Sequence, residues 1–248
     1  MLEGKVVIIT GSAGGIGRYV AKTFAQEHAK VVVCDVKPLD NVSADLEALE
    51  ADYLAAQADV RDEKSVRRLM DSVMNRYGRI DVLHNNAAMV THFQWGGPVW
   101  PRIGELDPSF WDKVIGTNLG GTFMCTRFAL PHMEAQRSGH IISTMGGSRA
   151  TGGAPYAVSK DAIRTFTRRV AEEEREFNVC VVCMGPNPPG ITGIATEEAP
   201  EEVRARMRSV EVVGNRYVLA AQAPMELTGE QLDVQDGKLV GLPPASLV

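Results

Sequence analysis

Short apolar runs alternate with amphipathic stretches along this chain, and the alternation predicts a strand–helix–strand order. Residues 5–10 are mostly apolar and end in glycines, as a strand buried on both faces reads. Residues 18–28 follow as a helix, with Val20 and Phe24 four apart, and 31–36 form the second strand. Over 64–77, Val66, Leu69, Met70, Val73, Met74 and Tyr77 recur at helical spacing, and Gly78 stops the helix. Residues 80–84 read as a strand and 110–131 mainly as helix. Ile141 and Ile142 belong to a strand, 157–177 to a long helix, and Val179–Met184 to a strand. A last short strand covers 232–234, before Asp236-Gly237. Strands alternating with helices predict an α/β fold, a doubly wound parallel sheet with helices on both faces.

Nothing marks a second domain, so 1–248 reads as one unit with 44% hydrophobic residues, enough to bury a sizeable core. Two stretches read as loops, 89–107 and 185 to about 200, and the second opens a lid-like region around 185–215. The net charge of -5 argues against a nucleic-acid partner, which needs a basic face. No apolar run approaches membrane-spanning length, and no removable leader precedes the first strand, which predicts a cytoplasmic protein without a membrane partner. Cys34, Cys125, Cys180 and Cys183 all sit in apolar surroundings. Cys180 and Cys183 make a CxxC, but a strand points residues three apart to opposite faces, so no metal site is expected.

The candidate chemistry begins where the first strand ends, in Thr10-Gly11-Ser12-Ala13-Gly14-Gly15-Ile16-Gly17. Glycines there let the chain turn sharply, and the helix after them presents N–H groups and a partial positive charge to a pyrophosphate. The second strand ends near Asp35, where an acid accepts hydrogen bonds from ribose hydroxyls and repels a 2′-phosphate. That pattern predicts NAD as cofactor, with Lys37 the one nearby cation that would favour NADP. Asp59 and Val60 are placed to hold the adenine edge.

In Tyr156-Ala157-Val158-Ser159-Lys160 a tyrosine stands four residues before a lysine on one helix, so both share a face. An ammonium beside a phenol favours phenolate and lowers a pKa that otherwise sits near ~10. With these residues the chain resembles the short-chain dehydrogenase/reductase family over nearly its full length. The matching pieces, in family order, are the turn at 10–17, Asp59, Asn85-Asn86-Ala87-Ala88, Asn118, Ser143, Tyr156 with Lys160, and Pro186. The resemblance implies a Rossmann-type sheet of seven parallel strands and a homotetramer or homodimer. It also implies the site: Tyr156 as general acid and base, and Lys160 on the nicotinamide ribose. Ser143 would hold the substrate oxygen, and Asn118 a water that links Lys160 to solvent. Gly11, Ser12, Gly15, Ile16, Gly17, Asp35, Asp59, Val60, Asn86, Ala87 and Ile191 complete the implied cofactor contacts.

Three positions depart from the family pattern. Ala88 replaces a glycine. The strand before the serine is short, so Ser143 and Thr144 compete for one slot; Ser143 is favoured by standing thirteen residues before Tyr156. The stretch Pro186-Asn187-Pro188-Pro189-Gly190 is lengthened, which leaves its nicotinamide contacts open between Ile191 and Thr192.

Other signals are weaker. His92, Phe93, Trp95 and Trp100 either wall a substrate, pack their loop onto the body or meet another subunit. Arg204, Arg206 and Arg208 read as a solvated face, as does 172–176, while His28, His84 and His132 read as structural. The function expected is an NAD-dependent oxidoreductase that interconverts a secondary alcohol and a ketone, its partner a small molecule. The alternatives are a non-redox dehydratase or epimerase on the same scaffold, or a nucleotide-sensing binding protein.

Overall fold

A computed structural model of the chain describes residues 2–89, 101–146, 153–186 and 210–242. Eight strands form one sheet in the order β3-β2-β1-β4-β5-β6-β7-β8. They are β1 Val6–Thr10, β2 Lys30–Asp35, β3 Tyr53–Gln57, β4 Val82–Asn85, β5 Gly139–Thr144, β6 Val179–Met184, β7 Gln231–Gln235 and β8 Lys238–Leu242. The first seven are parallel, and β8 returns antiparallel on β7. The sheet therefore has one strand more than the seven expected. The Asp236-Gly237 pair joins β7 to β8, with φ of 49° and 74°, the left-handed pair that a two-residue hairpin turn requires. The strand order reverses at β1, between β2 and β4, so a crevice opens at the carboxyl ends of these strands.

Side-chain alternation along the strands feeds two cores. Val7 and Ile9 of β1 face one layer, where helix α1 (Gly15–Gln26) contributes Val20 and Phe24 and α2 (Asp40–Ala48) contributes Val42 and Leu46. Val6 and Ile8 face the other, against Val66, Leu69 and Val73 of α3 (Glu63–Tyr77). The α3 boundaries follow from local chemistry. The Asp62 carboxylate accepts from the Lys64 and Ser65 N–H groups, and Gly78 ends the helix at φ 72°. Cys180 lies in the first layer, whereas Cys183 lies against Ile163 on the other face, so the CxxC does not converge. All four thiols are buried, and burial pushes Cys125 up to about 12 and Cys180 and Cys183 to about 11.

The long central helix is longer and less regular than its pattern predicts. It starts as α4 (Pro108–Ile115), passes through a π turn over Gly116–Gly120 and continues as α5 (Gly121–Gln136). Pro131 lies inside α5 rather than ending it. Helix α6 runs Ala154–Glu174, and α7 runs Val210–Ala220 beside α1. Helix α2, which the hydrophobic pattern does not single out, buries only Val42 and Leu46. Among the described residues, no helix is long and apolar enough to cross a membrane.

Candidate active site

The crevice is built first from backbone. Thr10 ends β1, and Gly11 and Gly15 adopt φ of 68° and 55°, which side chains disfavour. A Cβ on Gly11 would stand 2.6 Å from the Ala87 Cα, and one on Gly17 would run into the Gly11 carbonyl oxygen. The turn thus lies directly against the end of β4. Asn86 fastens it there: its Nδ2 donates to the carbonyls of Thr10 at 2.9 Å and Gly11 at 3.1 Å. The N–H groups of Asn86 and Ala87 both donate to Thr10 Oγ1 at 3.0 Å.

In front of α1 the surroundings suit a dinucleotide. The helix begins without a side-chain cap and without an acid in its first turn, which leaves its N–H groups for an anion. A Cβ on Gly14 would project into open space. Ser12 is turned inward, its hydroxyl donating to the Cys34 carbonyl at 3.2 Å, and Ile16 is half-buried beside the α1 core. Asp35, at the end of β2, accepts from the Ala13 N–H and the Lys37 N–H, each at 3.0 Å. An uncapped helix start beside an acceptor carboxylate matches the charge pattern of pyrophosphate next to ribose. Asp59 lies further along, held below the usual carboxylate range by the Arg61 guanidinium at 2.7 Å. The neighbouring Val60 is buried where a Cβ on Gly121 would meet it at 2.5 Å.

The second half of the site comes from α6, β5 and the π turn. Lys160 is buried, and its ammonium donates to the Thr144 carbonyl at 2.7 Å. It lies 5.8 Å from the centre of the Tyr156 ring. Burial lowers the ammonium to about 8 and raises the Tyr156 phenol. The phenol shift runs opposite to the sequence expectation, because desolvation outweighs a cation that is drawn to a backbone carbonyl. Asn118 sits fully buried in the π turn. Its Nδ2 donates to Ser159 Oγ at 3.0 Å, and Ser159 donates to the Tyr156 carbonyl at 2.7 Å. Its Oδ1 accepts from the Met89 N–H at 2.8 Å. The linking role of Ser159 escapes the sequence reading, although the residue stands inside the Tyr156–Lys160 turn.

Ser143 and Thr144 point to opposite faces of β5. Ser143 pairs with Cys183, on the face where Ile163 of α6 packs. The Thr144 hydroxyl goes the other way, 2.8 Å from His84 Nε2 and 3.2 Å from the Tyr217 hydroxyl of α7. In the sequence His84 reads as a simple strand end, and Tyr217 carries no signal, since its partners are distant in the chain. Ile191 and Thr192, the aromatic residues His92, Phe93, Trp95 and Trp100, and Arg204, Arg206 and Arg208 lie outside the described residues.

Comparison with known proteins agrees with this architecture. The family model of the short chain dehydrogenases matches residues 5–203. Secoisolariciresinol dehydrogenase of Forsythia intermedia is 33% identical, over 95% of this chain and 89% of its own. The 3-oxoacyl-acyl-carrier-protein reductase FabG of Thermotoga maritima is 32% identical, over 97% of both chains. A solved structure from Burkholderia xenovorans, assigned to the short-chain dehydrogenases/reductases, superposes with a TM-score of 0.82 at 29% identity. It covers 95% of this chain and 96% of its own. This chain belongs to the short-chain dehydrogenase family. It is therefore an oxidoreductase of the kind that works with a nicotinamide cofactor.

Proposed function

We propose that this protein interconverts a secondary alcohol and a ketone with NAD, using Tyr156 as general acid and base. The observation that carries the reading is the buried Lys160 ammonium, one helical turn from Tyr156, 5.8 Å from its ring and hydrogen-bonded to the end of β5. The relatives named as dehydrogenases and as a reductase support the reaction class. When bound, NAD supplies the two-electron redox chemistry that no side chain offers. The α1 N–H groups and the glycine turn would hold its pyrophosphate, Asp35 the adenine ribose, Asp59 and Val60 the adenine edge. Asn86 and Ala87 shape the floor.

The chain's own residues then handle the proton. Tyr156 takes it from the alcohol oxygen during oxidation and returns it to the carbonyl oxygen during reduction. Its raised pKa keeps the phenol protonated at neutral pH in the unliganded protein, so it is ready as an acid. Serving as a base requires the Lys160 cation to favour the phenolate. Ser143 orients the substrate oxygen, and Asn118 holds the Tyr156 turn through Ser159. Asp35 supports NAD over NADP, because its carboxylate would face a 2′-phosphate. Four buried free thiols support a reducing, cytoplasmic setting. Phe123 and Val158, exposed on α5 and α6, support assembly into a homotetramer or homodimer.

The test is a panel of secondary alcohols with NAD and ketones with NADH, followed at the reduced-nicotinamide absorbance band. Substrate-dependent change is expected, and Tyr156→Phe should lower it ~10²–10⁴-fold while NAD still binds. A Tyr156→Phe variant with near-normal turnover would sink the assignment.

A further inference from the structure

We propose that His84, Thr144 and Tyr217 are positioning residues, a buried polar clamp that sets where the Lys160 ammonium sits. The proposal rests on the roles of Tyr156 and Lys160 argued above. Strand pairing stops just short of the site. The last residue pair between β4 and β5 is Asn85 with Ser143, so Thr144 extends past β4 and keeps only Met184 of β6 as a strand neighbour. Yet the Thr144 carbonyl is the acceptor for the Lys160 ammonium, at 2.7 Å. On the β6 side the same peptide unit is tied by its Met145 N–H, which donates to the Met184 carbonyl at 3.1 Å, but on the β4 side something other than a strand ladder has to hold it.

The Thr144 side chain supplies it. Its hydroxyl donates to the Tyr217 hydroxyl at 3.2 Å, and its lone pair accepts from His84 Nε2 at 2.8 Å. The His84 and Tyr217 rings lie 4.3 Å apart between centroids, so each also packs the other. This arrangement uses the Nε2–H tautomer and leaves Nδ1 buried without a partner among the described residues. The core layer on this side holds Ile9, Ile142 and Val213. Apolar side chains would fill that space without burying an unpaired nitrogen. The polar trio adds a fixed direction for the end of β5.

The electrostatics are consistent with a short link from His84 to Lys160. Burial, and then the Lys160 charge, hold the imidazole down at about 3, so it stays neutral at working pH. The other ionisable groups facing this cluster are Tyr156 on α6 and Arg216 on α7, the latter paired with Asp233. A neutral clamp adds no second cation beside Lys160. It holds the acceptor carbonyl that stabilises the ammonium form.

The test reads Lys160 directly, in the unliganded protein. Lysine labelled with carbon-13 at Cε is followed by NMR against pH, the Lys160 signal being the one lost in Lys160→Met. Thr144→Val keeps the shape but removes the hydroxyl. Its carbonyl should wander, weakening the hydrogen bond to the charged form, so Lys160 should titrate ~0.5 unit or more lower. Thr144→Ser should restore the original value. Tyr217→Phe should shift it in the same direction by less, and serves if Thr144→Val does not fold. The limb of the kcat–pH profile that tracks Lys160 should move with these shifts, while substrate KM stays within about twofold. Lys160 titrating unchanged in folded Thr144→Val, or in folded Tyr217→Phe should Thr144→Val not fold, would overturn the clamp, as would Thr144→Ser failing to rescue. Because the NMR titration needs no turnover, it stands apart from the Tyr156→Phe test: either reading can fail without the other.

Discussion

The turn between β1 and α1 and the wall made by β5 and α6 face the same crevice but are built by opposite means. The turn is steric. Gly11 and Gly17 allow backbone to touch backbone, and Asn86 ties the turn to β4 with two donated hydrogen bonds. The wall is electrostatic. It keeps a buried cation, a half-buried phenol and a buried imidazole together, each displaced from its ordinary pKa by desolvation. A steric site tolerates no added atoms, whereas an electrostatic site tolerates change of shape better than change of hydrogen bonding.

That contrast can be broken or sharpened at particular residues. The largest effect is expected at Gly17→Ala, where the new Cβ has no room between the Gly11 carbonyl and Asn86. Urea denaturation should show a loss of about 3 kcal/mol or more. Gly14→Ala, which faces open space, should leave the midpoint nearly in place. If the two behave alike, the turn is not sterically locked. Next is Ser143→Ala, which should lower kcat/KM about 10²-fold with little change in thermal stability. Thr144→Ala should instead act through Lys160. A crippled Thr144 variant beside a healthy Ser143 variant would reverse their roles.

The third effect is on stability against pH. The unfolded chain protonates His84 below about 6.5, while the folded protein holds it neutral down to about 3. The unfolded state therefore binds more protons in that window, and His84 removes stability as pH falls from 6.5 towards 3. The slope it adds approaches about 1.4 kcal/mol per pH unit. Buried His140 acts in the same direction, whereas Glu174, raised to about 7, opposes both between its ordinary value and 7. Subtracting the His84→Gln curve from the parent curve isolates the His84 share; a flat difference would refute it. The smallest effect is at Asp35→Ser, which should narrow the preference for NAD over NADP about tenfold in a binding titration. Equal affinity of the parent protein for both cofactors would remove the role given to Asp35.

The same division explains which parts could be read from the sequence. Glycine positions, the strand runs and the Tyr156/Lys160 spacing are local features, so the turn, the parallel sheet and the helix that carries Tyr156 and Lys160 were legible. The His84–Thr144–Tyr217 cluster joins three segments separated by 60 and 73 positions, and no local pattern announces such a meeting. Strand β8 escapes the pattern because Gly241 interrupts its apolar run and its side chains are only partly buried. Helix α2 escapes it because two buried residues make too thin a stripe to register as a period. Ser143 and Thr144 separate only once the pairing of β5 with β6 fixes which face each one takes.

The π turn at Gly116–Gly120 sets the phase of the rod it interrupts. Each residue of an α-helix advances the chain by about 100°, so a wider turn rotates the α4 half of the rod relative to the α5 half. Upstream, Phe110 and Val114 must face the interior; downstream, Cys125 and Ala129 must do the same; and Asn118 must look at Ser159 from between them. At about 100° per residue these five positions would lie within one arc of about 100° on an uninterrupted helix, so the π turn adjusts their angles within one face rather than joining two faces. A π turn takes up one residue more than an α turn, so a one-residue deletion here closes the segment to regular α-helix and leaves both halves packed. Its cost falls instead on the link from Asn118 through Ser159 to the Tyr156 carbonyl, which only the wide turn holds in line.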